Sequence, residues 1–263
     1  MTTVTMVRRL PELESLRGNA ALVYCGKIDH DAPRTLHEAL REIGHVPRLD
    51  LVLATYGGAA TAARRLGLLL HEFTDRLTIL IPDRAWSAGT LLSLCAHELV
   101  MTPMAELGPL DPRLESPGGT PAVISSGQIH AFRTLAEEWF AMKEGEDVLA
   151  LLTQRMLPAT LGAFYQAERL TRQIAIEFLG GYQLAGEDIA TVEDIVEQLM
   201  TGYHAHDYPI TRRDAMRLGL RVECASGAEE TILYDAVAHC REDLARLAAT
   251  SGGPAGGGPD VRD

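Results

Sequence analysis

Leu77-Thr78-Ile79-Leu80-Ile81-Pro82 is followed, after Asp83-Arg84-Ala85, by Trp86-Ser87-Ala88-Gly89-Thr90 and then by a largely apolar run from Leu91 to Leu99. The first run has the length and residue types of a buried strand, and the last reads as helix. Ser87 is therefore predicted at a strand-to-helix turn. Such a turn exposes a hydroxyl at a helix N-terminus, where free N–H groups favour developing negative charge. Twenty-nine residues earlier a second strand-like run ends in Thr55-Tyr56-Gly57-Gly58. Glycine adds no side chain, so this turn can bring another main-chain N–H close. A serine and two N–H donors are the parts of an acyl-transfer site.

Working outward, strand candidates are Ala20 to Cys25, Leu49 to Ala54, Leu77 to Pro82 and Glu98 to Thr102. Helix candidates separate them. One starts near Pro33, with Leu36, Leu40 and Ile43 on one face and Gly44 as its stop. The next follows Gly58, with Ala62, Leu66, Leu69, Leu70 and Phe73 as its buried stripe, and the third follows Ser87. Alternating units of this size imply an α/β fold with a mainly parallel sheet. In such sheets ligands sit at the carboxyl ends of the strands, where Gly57-Gly58 and Ser87 fall.

Beyond Thr102 the texture changes. Residues 103–122 are rich in Pro and Gly, residues 128–180 read mostly as helix, and a last helix is predicted from Glu230 to Ala248. The division expected is a segment 1–18, one domain 19–248 and a disordered Gly/Pro-rich tail 249–263.

Composition narrows the function classes. A net charge of −12 argues against nucleic acid and anionic membranes as partners. No apolar run approaches the ~20 residues that span a bilayer. Met1 to Leu16 has no apolar core of a secretory signal, and the scattered Cys25, Cys95, Cys224 and Cys240 read as reduced thiols of a cytoplasmic protein. Lys27 and Lys143 are the only lysines, which matters because arginine stays protonated and cannot act as a base.

The motifs together resemble one family. Cys25-Gly26-Lys27-Ile28-Asp29-His30-Asp31 and the following helix are similar to the start of Clp-type peptidase subunits, and Thr55-Tyr56-Gly57-Gly58 stands where those carry Ser-Pro-Gly-Gly. Ser87-Ala88-Gly89-Thr90, Glu98-Leu99-Val100-Met101, Leu107-Gly108-Pro109-Leu110-Asp111-Pro112 and His206-Asp207-Tyr208-Pro209-Ile210-Thr211 resemble the serine dehydrogenase proteinase family, relatives of signal peptide peptidase A. The resemblance implies a Clp/crotonase-like spiral of ββα units with added C-terminal helices. It also implies a homo-oligomer, a peptide or protein substrate, and no cofactor. Carried over by position, Ser87 is the nucleophile, and the N–H groups of Gly58 and Ala88 form the oxyanion hole. Gly57 and Trp86 are the candidates for substrate contact, Trp86 being either core packing or a wall of the substrate cleft.

The base is the point of departure. Where Clp-type subunits carry a histidine, this chain has Leu107 to Pro112. Relatives of signal peptide peptidase use a later lysine, which here leaves Lys143. His130 and His206 are the other candidates. Each residue has a plain alternative: Ser87 as a helix N-cap, Lys143 and His130 as solvated helix residues, His206 as a loop-orienting element. Asp111 either braces its Pro-flanked turn or orients a base. His204 and His206 share one side of an extended segment, but a third metal ligand is not identifiable. A scaffold that keeps the serine turn without a base, and an acyl-CoA enzyme using the same oxyanion donors, are the competing functions. An unidentified protein partner is compatible with either.

Overall fold

The computed structural model describes residues 5–115, 123–140, 152–154 and 158–251. In chain order its elements begin with β1 (Met6–Arg9), α1 (Pro11–Arg17), β2 (Ala20–Cys25), α2 (Ala32–Ile43), β3 (Val46–Ala54) and α3 (Ala60–His71). They continue through β4 (Thr74–Ile81), β5 (Arg84–Ala85), α4 (Ala88–Ser93), β6 (Glu98–Met101), β7 (Glu106–Leu107), β8 (Arg113–Glu115) and β9 (Val123–Ser125). The remainder is α5 (Ser126–Phe140), α6 (Pro158–Phe178) with a π turn at Leu179–Gln183, α7 (Ile189–Thr201), β10 (Ile210–Thr211), α8 (Arg212–Arg217), β11 (Val222–Cys224) and α9 (Gly227–Ser251).

Six strands form the main sheet in the order β1-β2-β3-β4-β6-β11. Strands β2, β3, β4, β6 and β11 run parallel, and β1 closes one edge antiparallel to β2. The central strands are apolar on both faces because both faces are covered. Leu22, Tyr24, Leu51, Leu53, Ile79 and Ile81 pack beneath α2, α3, α4 and α6. The alternate residues Ala21, Val23, Cys25, Val52 and Leu80 pack beneath α1 and α9. At the opposite end of the sheet from the Gly-Gly turn, buried Asp50 accepts from Arg17 Nε at 2.7 Å, and Arg17 also pairs with Glu229 at the start of α9.

Most of the expected elements fall where the sequence puts them. The helix expected over Leu91 to Leu99 is instead Ala88–Ser93, because the chain must turn at Leu94 to His97 to deliver Glu98 into β6. The last helix begins at Gly227, three residues early, where Ser226 and Glu229 exchange main-chain and side-chain hydrogen bonds. The tail from residue 252 onward lies outside the described residues.

A second, smaller sheet decides where the functional groups go. Its order is β10-β7-β5, with β5 parallel to β7 and β10 antiparallel to it. Thr55, just past β3, bridges to Ala85 of β5. Each strand of this sheet leads directly into or out of a residue singled out above. β5 delivers Ser87, β7 delivers Asp111, β10 follows His206, and the Thr55 bridge fixes Gly57-Gly58. No helix among the described residues is long and apolar enough to cross a membrane.

Candidate active site

Ser87 has φ 51° and ψ −111°, and it is the only non-glycine residue with positive φ among the described residues. A side-chain-bearing residue held there costs about 1–3 kcal/mol, which the surroundings must supply. They do so through hydrogen bonds on either side. Trp86 N donates to Thr55 O at 3.1 Å, Gly89 N donates to Trp86 O at 2.8 Å, and Leu91 N donates to Ser87 O at 2.9 Å. Thr90 Oγ1 lies 2.8 Å from both Ala85 O and Gly108 O and accepts from Gly108 N at 2.9 Å. The Ser87 side chain makes no capping hydrogen bond, so the serine does not serve as an ordinary N-cap.

The Gly-Gly turn is pressed against this serine turn. A Cβ on Gly57 would stand 2.6 Å from Trp86 O and 3.2 Å from Ala88 N, and Gly57 takes φ 99°. A Cβ on Gly58 would stand 2.0 Å from Ile28 O. Ile28 N donates to Gly57 O at 2.9 Å, and Ala59 N donates to Ile28 O at 2.8 Å. This parallel bridge uses the groups flanking Gly58, which leaves the Gly58 N–H directed away from Ile28. Ala88 is the first residue of α4, so its N–H has no partner within the helix.

Gly58, Ser87, Ala88, Asp111 and His206 line one cleft of about 410 Å³. Its apolar walls include Ala59, Leu91, Leu110 and, from α6, Ala167 and Leu170. Asp111 is buried; its Oδ1 accepts from Ser126 Oγ at 2.9 Å and from Gly127 N at 2.9 Å. Its Oδ2 lies 3.8 Å from His206 Nδ1, within ion-pair reach and beyond hydrogen-bond length. That Nδ1 is buried and has no hydrogen-bond partner among the described residues. Burial pushes the Asp111 carboxyl up, but His206, the Gly127 N–H and the Ser125 and Ser126 hydroxyls outweigh it and hold the group below the usual carboxylate range. A buried carboxylate thus faces the inner nitrogen of a histidine that reaches the serine's cleft.

The other candidates are placed elsewhere. His130 pairs with Glu168, Nε2 to Oε1 at 2.8 Å, and lines an adjoining cavity of about 1080 Å³ rather than the Ser87 cleft. His204 is exposed and lines that same adjoining cavity. Lys143 lies outside the described residues. Trp86 does not line the cleft; its ring stands edge-on to Tyr56 at 5.8 Å, with the Arg84 guanidinium 5.3 Å from its centre. Gly57 shapes the turn from behind and lines a separate cavity, whereas Gly58 lines both. The support given to Asp111 by Ser126 and Gly127 has no signature in the sequence, because it arises where α5 begins beside the Asp111-Pro112 turn.

Residues 2–127 match the ClpP-like SDH-type serine proteinases. This stretch holds Gly58, Ser87, Ala88 and Asp111 and stops before His206. Among curated proteins the chain is 29% identical over 188 residues to the uncharacterized protein MJ1495 of Methanocaldococcus jannaschii, covering 70% of this chain and 56% of that protein. It is 28% identical over 190 residues to the uncharacterized protein MJ0137 of the same organism, covering 71% and 58%. The chain therefore spans a little over half the length of these relatives. Among solved structures it is similar to two of the 1510-N membrane-bound stomatin-specific protease. One, at 15% identity and TM-score 0.46, covers 76% of this chain and 75% of the other. The second holds a substrate peptide; at 18% identity and TM-score 0.45 it covers 76% and 70%.

Proposed function

We propose, from the similarity of residues 2–127 to the ClpP-like SDH-type serine proteinases, that the Ser87 cleft hydrolyses peptide bonds by way of an acyl-enzyme. The strained Ser87, in one cleft with a histidine backed by a buried carboxylate, carries this reading. Ser87 Oγ attacks the substrate carbonyl carbon while His206 Nε2 takes its proton. Asp111 holds the imidazole by Nδ1 and stabilises its charged form. The N–H groups of Gly58 and Ala88 donate to the oxyanion of the tetrahedral intermediate. Collapse breaks the C–N bond, and His206 returns its proton to the leaving amine. Water then attacks the acyl-enzyme with His206 again as base, releasing the carboxylic acid and restoring Ser87. The 3.8 Å separation of His206 and Asp111 closes to a hydrogen bond when substrate excludes water, as catalytic contacts commonly tighten on binding.

Hydrolysis of a quenched fluorescent peptide tests these roles. His206→Gln and Asp111→Asn each lower the rate by about 10²–10⁴-fold with unchanged circular dichroism. His130→Gln, in the neighbouring cavity, leaves the rate within a factor of about two. Full activity of a folded His206→Gln protein would remove His206 from the mechanism.

A further inference from the structure

A second cavity, of about 400 Å³, opens on the far flank of the Thr55–Gly58 turn. Cys25, Ala54 and Leu244 give it an apolar floor, and among the described residues no carboxylate lines it. Three cations surround it: Lys27 at the end of β2, Arg84 of β5 and Arg241 of α9. Lys27 is exposed and has no ion-pair partner among the described residues. Arg84 Nη1 donates to Tyr56 Oη at 3.0 Å, and its Nε is buried without a hydrogen-bond partner, 3.8 Å from Asp83 Oδ2. Arg241 donates to the same Asp83 oxygen. Asp83 thus answers two of the three cations and Lys27 is left unpaired among the described residues, a local positive excess on a chain of net charge −12.

Apolar floor and cationic rim together select a ligand with an apolar body and one anionic end. Guanidinium groups favour a carboxylate, and a space this size admits one or two apolar side chains. Gly26, Gly57 and Gly58 put no side chain on the wall, so a ligand's chain can approach it closely. We propose that this cavity binds the C-terminal end of a peptide, with its carboxylate among Lys27, Arg84 and Arg241 and its last apolar side chain on the Cys25–Ala54–Leu244 floor. Tyr56 and Gly58 line both cavities, so a chain anchored here continues across the turn towards Ser87. Selection of substrates by a free, apolar C-terminus rests on the serine-peptidase reading; the binding itself does not.

Binding is measured on the full chain carrying Ser87→Ala, so that nothing turns over. The probes are N-acetyl-trileucine as the free acid, the same peptide as its C-terminal amide, and octanoate. The acid binds about tenfold more tightly than the amide, the size expected for charge-assisted contacts. Lys27→Glu removes that advantage, Lys27→Arg keeps it, and octanoate binds more weakly than the peptide acid. Equal binding of acid and amide overturns the proposal, and so does an acid preference that survives Lys27→Glu. Octanoate binding as tightly as the peptide would overturn the peptide assignment. A wild-type protein whose serine proves unreactive would sink the peptidase reading and leave the binding result standing.

Discussion

At Ser87 the backbone conformation argues for function more strongly than the residue type does. A serine before a helix is common, and its usual work is to cap. Here it caps nothing and sits at φ 51°. Strain of this kind persists only where the surroundings over-determine it, as the Thr55, Thr90 and Gly108 contacts do. Glycine adopts the same backbone without the Cβ penalty. Ser87→Gly is therefore expected to stabilise the fold by about 1 kcal/mol in urea unfolding, after the entropy cost of glycine is subtracted from the relieved strain. Ser87→Ala, which keeps the Cβ, gives no such gain. A Ser87→Gly protein less stable than wild type would show that the turn is not strained.

Among the elements, α3, β6 and the π turn bring His71, His97 and Tyr182 together behind the sheet. The His71 ring stacks on Tyr182 at 3.6 Å, its Nε2 meets Cys95 O at 2.8 Å, and His97 Nδ1 accepts from Leu77 N at 3.1 Å. Burial, foremost, lowers both histidines; the neighbouring His97 adds to this for His71, and Arg76 and Arg221 add to it for His97. The folded state thus holds both rings neutral where the unfolded chain, with imidazoles near 6.5, already takes up protons. Their contribution is complete above the unfolded value and is lost as pH falls below it towards the folded values. The melting temperature is expected to drop between pH 8 and pH 5.5, and a His71→Gln, His97→Asn protein to show a flatter profile. Identical slopes for the two proteins would contradict this assignment.

For the whole molecule, the sequence carried the main sheet well and the small sheet poorly. Strands β2, β3, β4 and β6 each end in an apolar run, Leu51–Ala54 in β3 and Ile79–Ile81 in β4, because helices cover both their faces there, and such runs are visible without a partner. Strands β5, β7 and β10 are two residues each, too short for any periodicity, and only folding shows that they pair. That sheet is what joins the turn of Ser87 to Asp111 and to His206, 119 residues downstream of the serine. The serine turn and the Gly-Gly turn were legible because each is local. That His206 shares the serine's cleft and His130 does not was not legible, because it depends on long-range pairing. His130 reads like His206 in sequence, yet its helix carries it to Glu168 in the adjoining cavity.

The most direct test of an activated serine is labelling with a fluorophosphonate, followed by intact mass. One adduct is expected on wild type, none on Ser87→Ala, and labelling slowed by at least about 10²-fold in folded His206→Gln. An unlabelled wild-type protein that is folded and intact, or an adduct that persists on Ser87→Ala, would contradict an activated Ser87.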